Sequence, residues 1–235
     1  VNAIAPDVTF DLATTPLREL NEALHKATAE TNARRWRVLN PNGRHAVAVG
    51  LNLPLTVEIE GNVGYYCAGM NAEASVIIHG NAGQGVAENM MSGFVHVRGD
   101  ASQSAGATAH GGMLVVDGNA SARCGISMKG VDIVVKGSIG HMSAFMGQSG
   151  SLVVLGDAGE ALGDSLYEAK LFVRGTVKSL GADCIEKEMR DEHKALLAGK
   201  LKAAGLEGAV DVSEFKRYGS ARQLYNFHVD NASAY

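Results

Sequence analysis

LVVDGNASARCGISMKGVDIVVKG, residues 114–137, contains one short pattern twice, with Gly118 and Gly137 at equivalent places in it. Outward from this stretch the glycine recurs at Gly61, Gly80, Gly99, Gly118, Gly137, Gly156 and Gly175, every 19 residues with no insertion or deletion. The positions four and two before it are always apolar: Val57/Ile59, Val76/Ile78, Val95/Val97, Leu114/Val116, Ile133/Val135, Leu152/Val154 and Leu171/Val173. Alternation with period two puts each pair on one face of a strand. Directly after the glycine stands Asn62, Asn81, Asp100, Asn119, Ser138, Asp157 or Thr176, short polar residues that tolerate tight turns and bond their own backbone. A small or branched apolar residue follows (Val63, Ala82, Ala101, Ala120, Ile139, Ala158, Val177) and is expected to point back inside.

Strand-turn units with no helical segment between them cannot be βαβ crossovers, which need a dozen or more intervening residues. The expected fold is therefore all-β: a right-handed single-stranded parallel β-helix of about seven 19-residue coils over residues 54–180. Residues 1–53 form an N-terminal extension with a short helix, and residues 181–235 a C-terminal helix and an aromatic tail. Coils stacked at about 4.8 Å would make a rod of roughly 30 Å. The paired inward aliphatics, at ~1.5 to 3 kcal/mol each, would contribute on the order of 20 to 40 kcal/mol before conformational entropy is subtracted. The seven repeat glycines are expected at turns, Gly118 with a positive φ.

The residue three before each glycine should face outward, and reads Glu58, Ile77, His96, Val115, Val134, Val153 and Phe172. Val115, Val134, Val153 and Phe172 thus make an apolar outer column, a candidate interface that solvent would not favour. Either a partner subunit or one of the chain's own terminal segments should cover it. Terminal segments also suit the open ends of such a stack, where strand edges are exposed. Thr15-Pro16 is a helix start with Leu17, Leu20 and Leu24 on one face. Glu186 and Glu188 in a first turn, then Met189, His193, Leu196, Leu197, Leu201 and Ala204, with Gly205 as a stop, read as an amphipathic helix. Tyr218, Tyr225, Phe227 and Tyr235 in the tail suit docking on a surface.

The residues offer no catalytic constellation. There is no phosphate-binding Gly-x-x-x-x-Gly-Lys loop, Rossmann fingerprint, nucleophile elbow or His-Glu-x-x-His. The eight histidines lack metal-ligand spacing. Cys67 and Cys124 fall in one column three coils apart, at about 14 Å, too far for a disulfide. They read as small buried hydrophobes, and nothing pairs Cys184. A net charge of -4 gives no basic surplus for nucleic acid. No apolar run reaches the roughly 18 residues that span a membrane, and VNAIAPDVTFDLATTP has neither a basic start nor an apolar segment, so a cytoplasmic location is expected. A column of Asp, Arg or Lys, which a polysaccharide-cleaving β-helix would present, is missing.

The strand-Gly-Asn/Asp-Ala pattern, as in SLVVLGDAGEALGDSL (residues 151–166), resembles the GXGXG domain, the C-terminal β-helix of the glutamate synthase large subunit. Residues 125–193, ending GADCIEKEMRDEH, and the tail FKRYGSARQLYNF are more narrowly similar to the stand-alone GXGXG, or GlxC-type, subunit of N-methylglutamate synthase. That resemblance implies a cytoplasmic hetero-oligomer converting methylamine and glutamate to N-methylglutamate and ammonia. Its partners would be a class II glutamine amidotransferase-like subunit and an FMN-binding glutamate synthase-like subunit that also holds an iron-sulfur cluster. This chain would be structural, with no catalytic, cofactor or metal residue of its own. The alternative is the related β-helix subunit of a formylmethanofuran dehydrogenase or formyltransferase/hydrolase complex. The motif's second glycine is kept at Gly64, Gly83, Gly140 and Gly159 but replaced by Ser102, Ser121 and Lys178.

Overall fold

A computed structural model describes residues 6–28, 30 and 34–222. The seven repeats give seven parallel strands: β3 (Thr56–Glu60), β4 (Ser75–Ile78), β5 (Phe94–Val97), β6 (Met113–Val116), β7 (Lys129–Val135), β8 (Ser149–Val154) and β9 (Lys170–Val173). Each pairs with the next in chain order, a parallel β-solenoid. Ser75 lies against Phe94 and Val115 against Val134, so identical places in the repeat are stacked. The alternating aliphatics Val57, Ile59, Val76, Ile78 and their equivalents are buried inside, as period-two patterning requires. A second column of bridges joins Val63, Ala82, Ala101, Ala120, Ile139, Ala158 and Val177, the residues expected to turn inward.

The turn between these two walls departs from expectation. Of the seven turn glycines only Gly61 has a positive φ, +132°. Gly118 is required for another reason: a Cβ there would lie 3.0 Å from the carbonyl carbon of Gly99 and overlap Asp100 Oδ1. The polar residue after each glycine bonds the next coil instead of its own backbone. Asn62 Oδ1 accepts from Asn81 N (2.8 Å), Asn81 Oδ1 from Asp100 N (2.9 Å), and Asp100 Oδ1 from Asn119 N (2.7 Å). Asn119, Ser138 and Asp157 continue the ladder to Thr176. Glycine and acceptor are one device, because the missing Cβ is the space the acceptor of the preceding coil occupies.

The arc closing each coil is also regular. Tyr66, Ala68 and Met70 are left-handed at φ 59°, 54° and 54°, with ordinary residues between them, and the same alternation recurs at Met142, Ala144 and Met146. Their N–H groups alternate in direction: Tyr66 donates forward to Gln84 O (2.8 Å), Ala68 back to Val47 O (3.0 Å) and Met70 forward to Glu88 O (2.8 Å). Left-handed backbone costs on the order of 1 kcal/mol per non-glycine residue. Here each such residue gains a bond to a neighbouring coil, which leaves few backbone groups of the arc without a partner.

The stack begins before residue 54. β2 (Arg35–Leu39) pairs with β3, and Ala46 and Ala48 repeat the left-handed arc, so residues 35–55 are a further coil, in longer register because Arg35 faces Thr56. β1 (Val8–Asp11) pairs with β2. Between them α1 (Leu17–Lys26) caps the open end, burying Leu20 and Leu24 in the solenoid core. Its Asn21 donates to Ala46 O (2.9 Å) and accepts from Ala48 N (3.1 Å), and His25 Nε2 lies 2.6 Å from Val49 O. Side chains of the helix thus satisfy backbone groups that a further coil would otherwise bond. Pro16, not Thr15, holds the N-cap position, while Thr15 N donates to Asp11 O.

At the other end the expected single helix is a strand followed by a helix. β10 (Cys184–Lys187) takes the residues read as a first helical turn, and α2 (Asp191–Ala203) starts only afterwards. The reason is tertiary pairing: β11 (Lys216–Ser220) inserts antiparallel between β9 and β10 and bonds both. Gly205, at φ +76°, ends α2 as expected, and Leu206 N bonds Leu201 O (2.8 Å). α2 lies on the outer apolar column. Val115, Val134, Val153 and Phe172 are fully buried with Leu197, Leu201 and Phe215 in a second core, and Lys200 Nζ reaches Asp132 Oδ2 at 2.7 Å. The column read as a candidate interface is therefore sealed by the chain's own C-terminal segment and offers no surface to a partner.

Candidate functional surfaces

All three cysteines are buried in the solenoid core. Cys67 and Cys124 belong to the inward column of the left-handed arc, and burial pushes both thiols up to about 12. Cys184 is pushed up to about 11, by burial first and then by Asp164. Thiolate is the reactive form, so these positions do not suit nucleophilic catalysis. An alkylating reagent at about pH 8 should leave the folded chain unlabelled and modify every cysteine once it is denatured. Rapid labelling of native Cys67 or Cys124, read by mass spectrometry, would show that the arc opens.

The histidines are separately engaged. His45 stacks on Tyr65 with centroids 4.3 Å apart, and its Nδ1 accepts from Tyr65 N. His193 Nδ1 accepts from Arg190 N (3.3 Å) at the start of α2. His110 and His141 are exposed, and His228 lies outside the described residues. His96 is the most catalytic-looking, with Nε2 at 2.8 Å from Asp117 Oδ1. However, Asp117 also meets Lys136 (2.7 Å) and Arg98 (3.4 Å), and no nucleophile lies among these partners. Burial lowers the pKa of His96 against the pull of Asp117. Burial would raise that of Asp117, but its bonds to Lys136 and His96 outweigh this and lower it. The cluster closes the edge of the second core beside Phe94, whose ring is edge-on to His96 at 5.8 Å.

Among the described residues one group has metal-like spacing: ligand atoms of Glu58, Glu60 and His79 lie within 4.8 Å of one another. Arg35 and Arg37 already face Glu58 (3.7 Å) and Glu60 (3.2 Å), so the positive charge a cation would bring is supplied by β2. Among the described residues, large apolar side chains are exposed along the left-handed arc at Tyr65, Met70 and Met146, and elsewhere at Met91, Tyr167, Leu180 and Ile185. Tyr218 is buried against the core from β11, whereas Tyr225, Phe227 and Tyr235 lie outside the described residues. Among the described residues no helix is long and apolar enough to cross a membrane.

Neither a family model nor a solved structure matches the chain. It is similar to Protein GlxC of Rhizobium meliloti (strain 1021), with 68% identity over 226 residues, covering 96% of this chain and 99% of that protein. Identity that high along nearly the whole of both sequences leaves no room for a different fold or a different repeat number, and the chain belongs to the family of Protein GlxC.

Proposed function

We propose that the chain is a non-catalytic structural subunit of a glutamate-synthase-like complex, specifically an N-methylglutamate synthase. The observation that carries this reading is the near full-length identity with Protein GlxC, taken with the strand-Gly-Asn/Asp-Ala repeat of the GXGXG type. The geometry is compatible with it. Polar side chains along the turns are used in coil-to-coil bonds, the cysteines are inside, and the result is a rigid body with separate faces. In this reading an amidotransferase-like subunit and a subunit holding FMN and an iron-sulfur cluster dock on the solenoid. The chain contributes position, fixing the distance between two sites, which lowers a barrier without any group that reacts.

Purified alone, the chain should be colourless and inactive. Added to the two partners, it should restore formation of N-methylglutamate and ammonia from methylamine and glutamate. Stoichiometric flavin on the isolated chain, or full activity of the partners without it, would overturn the proposal. Activity with formyl-transfer partners alone would point to the formylmethanofuran type of complex.

A further inference from the structure

The antiparallel cap at the C-terminal end gathers more cations than carboxylates among the described residues around one cleft. On β9, β10 and β11 the side chains of Leu171, Cys184 and Tyr218 point into the core. Alternation therefore puts Lys170, Lys187, Arg217 and Gly219 on the opposite face. Lys187 and Arg217 are direct cross-strand partners, an arrangement of like charges that destabilises a sheet. Burial first, and then Arg217, lower the pKa of Lys187. Gly219 lets the lysine stem lie across the central strand: a Cβ there would sit 3.4 Å from Lys187 Cδ and 3.7 Å from Cε.

These groups line one cleft of about 50 Å³, together with Arg222 and a single carboxylate, Glu168. Arg222 is paired with Asp183, and Arg217 Nε donates to Glu188 O (2.9 Å). Among the described residues neither Lys170 nor Lys187 has a carboxylate within ion-pair distance. Two lysines and an arginine around a glycine floor form a poor structural element, since among the described residues no carboxylate lies within ion-pair distance of either lysine to offset the crowding. They form a good receptor for a small anion, which would neutralise the opposed pair and accept bonds from both ammonium groups. The cleft admits one oxyanion group and is far too small for a nucleotide.

We infer that this cleft binds a single small oxyanion, a carboxylate or a phosphate, held by Lys170 and Lys187 over Gly219. The inference does not depend on the proposed function. The anion's source can be a free ion or an acidic side chain of another protein, and the chemistry is the same in both.

The test is thermal melting of the full chain with sodium phosphate or sodium glutamate replacing sodium chloride at constant ionic strength. At ten times the dissociation constant either anion should raise Tm by about 3–6 °C. Lys187→Met keeps the stem across Gly219 and should abolish the rise, while melting no lower than wild type in chloride because one of two opposed cations has gone. Lys170→Met should also abolish the rise and serves as the independent variant. A rise with phosphate alone or glutamate alone supports the site and names its group. No rise with either anion, or one that survives in both variants, overturns the inference. So does a Lys187→Met chain melting several degrees below wild type in chloride, since the lysine would then be holding the cap together.

Discussion

Gly118→Ala should destabilise the chain by about 3 kcal/mol, lowering Tm by roughly 6–12 °C for a chain of this length. The added methyl would overlap Asp100 Oδ1 and press on the Gly99 carbonyl carbon, backbone and ladder atoms that cannot rotate away. The informative comparison is Gly125→Ala. Gly125 has φ +68° whereas Gly118 does not have a positive φ, so conformational freedom alone would rank Gly125 as the less replaceable. The structure ranks them the other way. Gly125 shares its column with Ala68, Ala87 and Ala144, which hold left-handed backbone with a Cβ in place, and its own Cβ would meet only side-chain atoms of Met128 and Ile133 at 3.2 and 3.3 Å. Its alanine variant should cost about 1 kcal/mol or less. Equal losses at both positions, or a larger one at Gly125, would mean that backbone conformation and not coil-to-coil approach sets the repeat glycine.

Val134→Glu should cost about 3–5 kcal/mol by placing an unpaired carboxylate in the second core between Val115, Val153 and the buried face of α2. The cheapest relief is for α2 to leave. Limited proteolysis should then cut between β10 and β11 while the stacked coils remain intact, and circular dichroism should lose helix but keep strand. A Val134→Glu chain that melts within a degree of wild type with α2 still protected would show that the helix does not seal this column. The valine does face outward from the sheet, but α2 covers it.

The strands were legible because inward burial imposes period two on Val57/Ile59 and its repeats, and because a constant interval of 19 residues admits only stacking. The left-handed arc was not, although it recurs as strictly. Its column reads Tyr66, Gly85, Ser104, Arg123, Met142 and Ala161, with no shared chemistry, since what holds these residues is main-chain bonding to the coils on either side. The first coil is hidden in the sequence because residues 35–55 are out of step with the 19-residue interval and carry Asn40, Pro41, Asn42 and Gly43 at the turn. Glu186 suits a helix start in the sequence because acidic residues favour one, and only the arrival of β11 from 30 residues later decides for a strand. The candidate surfaces were less legible still. The outer apolar column was visible in sequence but its cover was not, and the basic cleft joins Lys170, Lys187 and Arg217 from three strands whose order departs from chain order.

The ladder through Asn62, Asn81, Asp100, Asn119, Ser138 and Asp157 makes every joint between the seven 19-residue coils chemically alike: a short acceptor on one coil and a backbone N–H on the next. Removing or inserting one complete 19-residue unit would therefore leave the same acceptor facing the same donor at the new junction. Removing one residue would shift the remainder of that coil against its neighbour, turning aliphatics outward and breaking the rung. Length in this architecture is consequently discrete. Whatever two bodies are held at different heights along the stack, their separation can change in evolution or by engineering only in steps of about 4.8 Å, the thickness of one coil.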